Sequence, residues 1–190
     1  MLLGYLILAH LLADFIFQPT KLVLWKIESK KGVFVHVMIH FLTTTLILSP
    51  FIVNGHYWLI AIAFVIAFFH FWIDQTKISY DLKHDNKVVP FIVDQLLHLL
   101  TILLCYFFTQ DKILAVPETA FYGIYSNIQI IGFLVSVIFV SNVIEIYYFQ
   151  KKREKNKNAK LKINPDKVLT RIITLALIYI LFISLSFYAR

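Results

Sequence analysis

Six apolar blocks alternate with polar stretches along this chain of 190 residues. They cover residues 2–17, 33–53, 57–77, 90–108, 128–150 and 168–188. A helix needs about 20 apolar residues to cross the hydrocarbon core of a bilayer, so each block predicts a transmembrane span. The first is short and predicts a span that is tilted or partly covered by its neighbours. Pro19 ends it. Residues 20–31 mix Leu22, Leu24, Trp25 and Ile27 with Lys21, Lys26, Lys30 and Lys31, which predicts a short interfacial helix or loop. Gly32 opens the second span, and Asn54-Gly55 marks a tight turn after it. A polar loop is expected over 79–87. Pro90 then falls in the first turn of the fourth helix, where its missing N–H does no harm. A longer loop with Asp111, Lys112, Pro117 and Glu118 is expected over 109–127. The expected fold is all-α: a polytopic membrane protein of six helices in one bundle. Residues 1–108 form a four-helix half, and residues 109–190 add two helices joined by a basic loop over 151–167.

Composition agrees with this pattern. The chain is 59% hydrophobic with a mean hydropathy of +0.76, against about 45–50% apolar for soluble domains. No Lys or Arg precedes the first block and no small-residue cleavage site follows it, so no removable signal peptide is expected. The single cysteine, Cys105, excludes an internal disulfide or a thiolate cluster.

The net charge of +7 is local. Nine Lys/Arg and two acids lie in residues 151–171, which accounts for the whole excess. A nucleic-acid partner is therefore not expected, and a loop facing anionic lipid is. The loops after the first, third and fifth spans carry the basic residues. By the positive-inside rule these loops are cytoplasmic and both termini lie outside. A homodimer is not excluded by anything in the chain.

Against this apolar background, four polar pairs recur at a spacing of four: His10/Asp14, His36/His40, His70/Asp74 and Asp94/His98. Four residues is about one helical turn, so each pair shares a helix face. Ionisable groups inside a span are costly and point to function. With the loop-derived orientation, His10, His40, His70 and His98 fall in one layer. Asp14, His36, Asp74 and Asp94 fall in a second, about 6 Å nearer the cytoplasm. Five His and three Asp can hold one or two divalent ions; zinc suits the imidazoles best, with manganese or iron as alternatives. Hydrogen bonding between helices is the plainer alternative for any single pair.

Other polar groups extend this set. Gln18 follows Asp14 by four. Lys77 follows Asp74 by three and can pair with it or hold a phosphate. Gln95, next to Asp94, is expected to face about 100° away, with a hydrogen bond to a neighbouring helix as the equal alternative. Glu145, near Asn142, is a candidate general base or further ligand, or else a carboxylate pairing with Lys151 or Lys152. Gln18, Lys77 and Glu145 are thus the candidate catalytic residues. His56 and His84 are expected in solvated loops.

The segments HLLADFIFQ (His10 to Gln18), HVMIH (His36 to His40), HFWIDQTK (His70 to Lys77) and DQLLHL (Asp94 to Leu99) resemble the pattern of a bacterial and phage family, domain of unknown function 3307. The resemblance covers roughly residues 1–105 and implies a bacterial inner membrane. It supports the site and implies no particular reaction. A looser similarity links the chain to membrane metal-dependent hydrolases and to the helical zinc phospholipase C pattern, whose His-x-x-x-Glu it lacks. The expected function is a membrane-embedded, metal-dependent hydrolase of a lipid or lipid-linked phosphoester. The alternatives are a divalent-metal or proton transporter or channel, and a His-ligated haem or di-iron redox protein.

Overall fold

A computed structural model of the chain describes residues 1–109, 112, 122–156, 159, 161 and 165–188. The rest of the expected 109–127 and 151–167 loops lies outside the described residues. All regular structure among the described residues is helical. In chain order the helices are α1 (Leu2–Leu11), α2 (Thr20–Glu28), α3 (Lys30–Val53), α4 (Trp58–Lys83), α5 (Val88–Phe107), α6 (Tyr122–Tyr125), α7 (Ile128–Ile138), α8 (Ile144–Lys155) and α9 (Pro165–Tyr188). A π-helical turn, Leu12–Ile16, prolongs α1, and another, Phe139–Val143, joins α7 to α8. Four helical stretches are long and apolar enough to cross a membrane: α3, α4, α5 and the continuous α7–α8. A fifth is gained if α1 and α2, which meet at 87°, are one broken span.

Several boundaries differ from the expected ones, each for a local reason. Ser29 caps α3 by accepting a hydrogen bond from the Lys31 backbone N–H at 3.2 Å, so the helix starts three residues before Val33. α4 runs on to Lys83, through much of the expected 79–87 loop. Its C-terminus is held by Lys87, whose Nζ donates to the Asp81 and His84 carbonyls. α8 continues into the basic segment as far as Lys155. There Glu154 accepts hydrogen bonds from the Lys87 and Val88 backbone N–H groups, both at 2.8 Å, and so caps α5. The short helix α6 falls in the expected 109–127 loop.

Helices α1, α3, α4 and α5 form the group that carries the four recurrent polar pairs. α3 packs on α1 and α4, and α5 on α4 and α1. One end of the group is apolar. Tyr5, Leu6, Leu48, Phe51, Leu59, Ile102 and Cys105 are buried there against one another. α7 docks on α1 where Gly4 leaves room; a Cβ at Gly4 would lie 3.1 Å from Ile131. Tyr5 donates to the Tyr125 carbonyl, and Tyr125 donates to the Ile47 carbonyl at 2.9 Å, which ties α1, α3 and α6 together. At the other end the interior is polar, while the outer faces carry exposed apolar side chains such as Phe34, Leu46, Phe64, Trp72, Leu96 and Leu100.

α2 turns back across that polar end. Leu22 and Lys26, four residues apart, share its inward face, whereas Leu24, Trp25 and Ile27 are exposed. Its close approach to α3 depends on Gly32. A Cβ there would sit 2.5 Å from the Trp25 carbonyl carbon and oxygen and 2.6 Å from the Lys26 nitrogen, all rigid backbone. Gly32→Ala should therefore destabilise the fold by about 1–3 kcal/mol, despite the better helix propensity of Ala. Thermal unfolding in detergent checks this; an unchanged or raised midpoint contradicts the close packing of α2 on α3.

Candidate metal centre

The polar end gathers the side chains of all four recurrent pairs. α1 and its π turn supply His10 and Asp14, α3 supplies His36 and His40, α4 His70 and Asp74, and α5 Asp94 and His98. The neighbouring helices run antiparallel, so spacings of four on each helix bring one member of each pair to each of two levels. His40 and His70 lie 3.6 Å apart between ring centroids, His70 and His98 4.0 Å, and His10 and His98 5.1 Å. These four rings make one level. On the next, the His36 Nε2 lies 3.0 Å from Asp14 Oδ1 and 3.6 Å from Asp74 Oδ2. The π turn belongs to this geometry. Its extra residue per turn is closed by the Phe17 N–H donating to the Leu12 carbonyl, and such turns occur often at functional sites.

Seven of the eight side chains are buried, and Asp14 is nearly so. Burying three carboxylates is costly unless each is paired. Asp14 Oδ1 meets His40 Nε2 at 2.9 Å and His36 Nε2 at 3.0 Å, with His70 Nε2 at 3.7 Å. Asp14 Oδ2 is 3.6 Å from His10. Asp94 and His98 approach to 3.4 Å, and Asp74 and His98 to 3.8 Å.

Three overlapping groups bring one ligand atom per residue within 4.8 Å of one another. The first is His10, Asp14, His40 and His70; the second is His36, His70 and Asp74; the third is Asp74, Asp94 and His98. Together they use all eight residues. Hydrogen bonding within the protein leaves part of this cluster unserved: the Nδ1 atoms of His10, His40 and His70, the Nε2 of His98 and the Oδ1 of Asp94 are buried without a hydrogen-bond partner. His36 is served on both ring nitrogens: its Nε2 lies 3.0 Å from Asp14 Oδ1 and 3.1 Å from His70 Nε2, and the Gln18 amide nitrogen lies 3.1 Å from its Nδ1.

The assisting residues separate into two sets. Gln18 reaches the cluster through His36, although the helix has ended two residues before it. Lys77 lies at the rim, 3.6 Å from Asp81, within electrostatic reach of Asp94, Asp74 and Asp14. Gln95 takes the second of its two expected roles, a hydrogen bond to a neighbouring helix: its amide donates to Asp14 Oδ2 at 3.4 Å and also to Asp94 Oδ2 at 3.0 Å, because a long side chain at the helix edge can fold back across 100°. Glu145 is drawn elsewhere: its carboxylate is bound by Arg171 of α9 at 2.6 Å, and among the described residues neither the cluster nor Lys151 or Lys152 is its partner. Arg171 also approaches the Val140 carbonyl, in the second π turn, at 3.4 Å. Asn142 bonds locally to Ser141 at 2.7 Å. His84 is exposed and stacked on Tyr80, and His56 is partly exposed.

Lys26 is the member that the spacing of polar pairs does not reveal. Its Nζ lies 2.5 Å from Asp74 Oδ2, and only 11% of its side chain is exposed. The available sequence signal is its position four residues after Leu22, beyond a proline that turns the chain back.

The chain matches the family described as "Protein of unknown function (DUF3307)" over residues 2–123, which takes in every member of the cluster. The match extends past the four quoted motifs and the whole of α5. No curated protein and no solved structure matches the chain. With nearly two-thirds of its length in that match, the chain belongs to the DUF3307 family.

Proposed function

We propose that this protein is a membrane-embedded, metal-dependent hydrolase that acts on a lipid or lipid-linked phosphoester from the cytoplasmic leaflet. The observation that carries the proposal is the convergence of imidazole nitrogens and carboxylate oxygens on shared points in the buried interior. Ligands of a tetrahedral zinc ion with bonds of 2.0–2.1 Å lie about 3.3–3.4 Å apart. In the group of His10, Asp14, His40 and His70 the imidazole Nε2 atoms of His40, His10 and His70 lie 2.9, 3.6 and 3.7 Å from the Asp14 carboxylate. A cation at such a point would take the lone pairs of the imidazole nitrogens that face Asp14, the Nε2 atoms of His10, His40 and His70. Five imidazoles with three carboxylates favour zinc, with manganese or iron as alternatives.

The remaining features fit hydrolysis better than transport. Beyond the histidine level the buried polar groups of α3 are the Thr43 and Thr44 hydroxyls, and past them Leu48, Phe51, Leu59 and Ile102 close the end with apolar side chains. The polar end is bordered by Gln18, Lys26, Lys77 and Gln95. When bound, the ion would supply a water of lowered pKa and a Lewis acid for a phosphoryl oxygen. His10, His40, His70 and Asp14 would hold it, Gln95 would fix the Asp14 and Asp94 carboxylates, and Lys77 would face the anionic substrate. The exposed apolar faces around a polar interior support a bilayer location, and α9 supplies the sixth span. In this reading the basic segment after α8 meets anionic headgroups of a bacterial inner membrane, α2 lies in the interface with Trp25 at headgroup depth, and both termini are outside.

Two experiments test the proposal. Purified protein should release phosphate or a phosphorylated headgroup from some member of a panel of phospholipids and lipid-linked phosphoesters. The activity should vanish with chelator and return with zinc or manganese. Asp14→Asn should lower it by at least about 100-fold, since even outer partners of metal ligands cost 10–100-fold. Turnover that ignores chelator, or Asp14→Asn at full activity, contradicts the metal mechanism. Orientation is tested in a Cys105→Ser background. A membrane-impermeant maleimide should label His56→Cys in intact cells and His84→Cys only after lysis; the reverse pattern overturns the cytoplasmic placement of the site.

A further inference from the structure

Resting on the metal reading above, we infer that the centre holds one divalent ion, and that the Lys26 ammonium stands where a second ion would otherwise bind. The three ligand groups are not equivalent. Both the second group (His36, His70, Asp74) and the third (Asp74, Asp94, His98) depend on Asp74. Lys26 Nζ sits 2.5 Å from its Oδ2, an ion contact rather than an aligned hydrogen bond. The side chains are 11% and 7% exposed, so little water screens the contact. The group of His10, Asp14, His40 and His70 has no such resident cation. It also has the most ligands.

Charge balance gives the same answer. Asp14, Asp74 and Asp94 bring three negative charges, while Lys77 is matched by Asp81. One divalent ion and one ammonium neutralise the three. Two divalent ions with Lys26 still in place would leave two positive charges in excess in a buried site, which is strongly unfavourable without added anions. A lysine is suited to this role, being a compact charge on a flexible stem that can move to an anionic oxygen of a substrate without leaving the site. α2 delivers it. The close α2–α3 contact at Gly32 and the burial of Leu22 fix the helix across the polar end, so Lys26 is placed by the fold. Lys26 thus takes the charge-balancing part of a second metal and would contact the phosphoryl oxygens that such a metal would bind.

The test is metal stoichiometry on full-length, detergent-purified, untagged protein, stripped with chelator, reloaded with zinc and desalted. Wild type should retain one zinc per chain. Lys26→Met should retain two, and Lys26→Arg one, because the guanidinium keeps the charge at Asp74. A Lys26→Met/Asp74→Asn double variant removes the pair together and should retain one, since the remaining ion does not use Asp74. Two zinc ions in wild type, one in a folded Lys26→Met, or none in the double variant would overturn the inference. In each of those cases wild-type zinc leaves the metal reading standing. No zinc in wild type sinks that reading, and this inference with it.

Discussion

Eight ionisable side chains share the interior at one end of a helical bundle whose outer faces are apolar, and the structure depends on keeping them satisfied. None of the three carboxylates is buried alone. Asp14 gathers imidazoles from α1 and α3, Asp74 holds Lys26, and Asp94 is held by Gln95 and faces His98. Each contact joins different helices or fixes a rotamer, so the polar set also specifies how α1, α3, α4 and α5 sit together. The apolar end is specified by fewer polar contacts, the Tyr5 and Tyr125 hydrogen bonds, beside close packing around Leu48 and Phe51. The residues of the candidate site therefore also specify the fold, as suits membrane helices, where apolar contacts do not distinguish neighbouring helices from lipid.

The second half of the chain attaches to this core through few, well-defined contacts. α7 meets α1 at Gly4, Glu154 at the end of α8 caps α5, and α9 is joined to the second π turn through Arg171 and Glu145. Arg171 also approaches the Val140 carbonyl in the second π turn. The two π turns are thus used differently. The first aims Asp14 into the cluster, and the second meets Arg171 of α9 beside the ion pair that Arg171 makes with Glu145 of α8. The family match over residues 2–123 stops before α7, in keeping with a functional core that ends at α5.

Much of this was legible in the chain because two signals there are strong. Long apolar blocks mark α3, α4, α5 and α7–α8, and a spacing of four puts both members of each polar pair on one face. The convergence of those faces followed from antiparallel neighbours. What was hidden has a common cause: periodicity carries no information past the end of a helix. The 87° turn after Phe17 redirects α2, so Lys26 reads as one of four interfacial lysines when it is the counter-charge of Asp74. Gln18 reaches His36 from beyond the helix. Gln95 bends back through side-chain torsions that no helical wheel shows. Glu145 has two nearby lysines in sequence but is taken by Arg171, 26 residues away, because α9 returns alongside the π turn. The continuation of α4 and α8 into polar sequence was hidden likewise, since the capping by Lys87 and Glu154 is tertiary.

The central claim is that imidazoles and a carboxylate from α1, α3 and α4 meet on one ion. X-ray absorption at the zinc edge of the reloaded, detergent-solubilised protein tests it most directly. The account predicts a shell of four nitrogen or oxygen ligands at about 2.0–2.1 Å, with outer-shell scattering from about three imidazole rings. A shell of six oxygens without imidazole scattering, as for a loosely held hydrated ion, would contradict it.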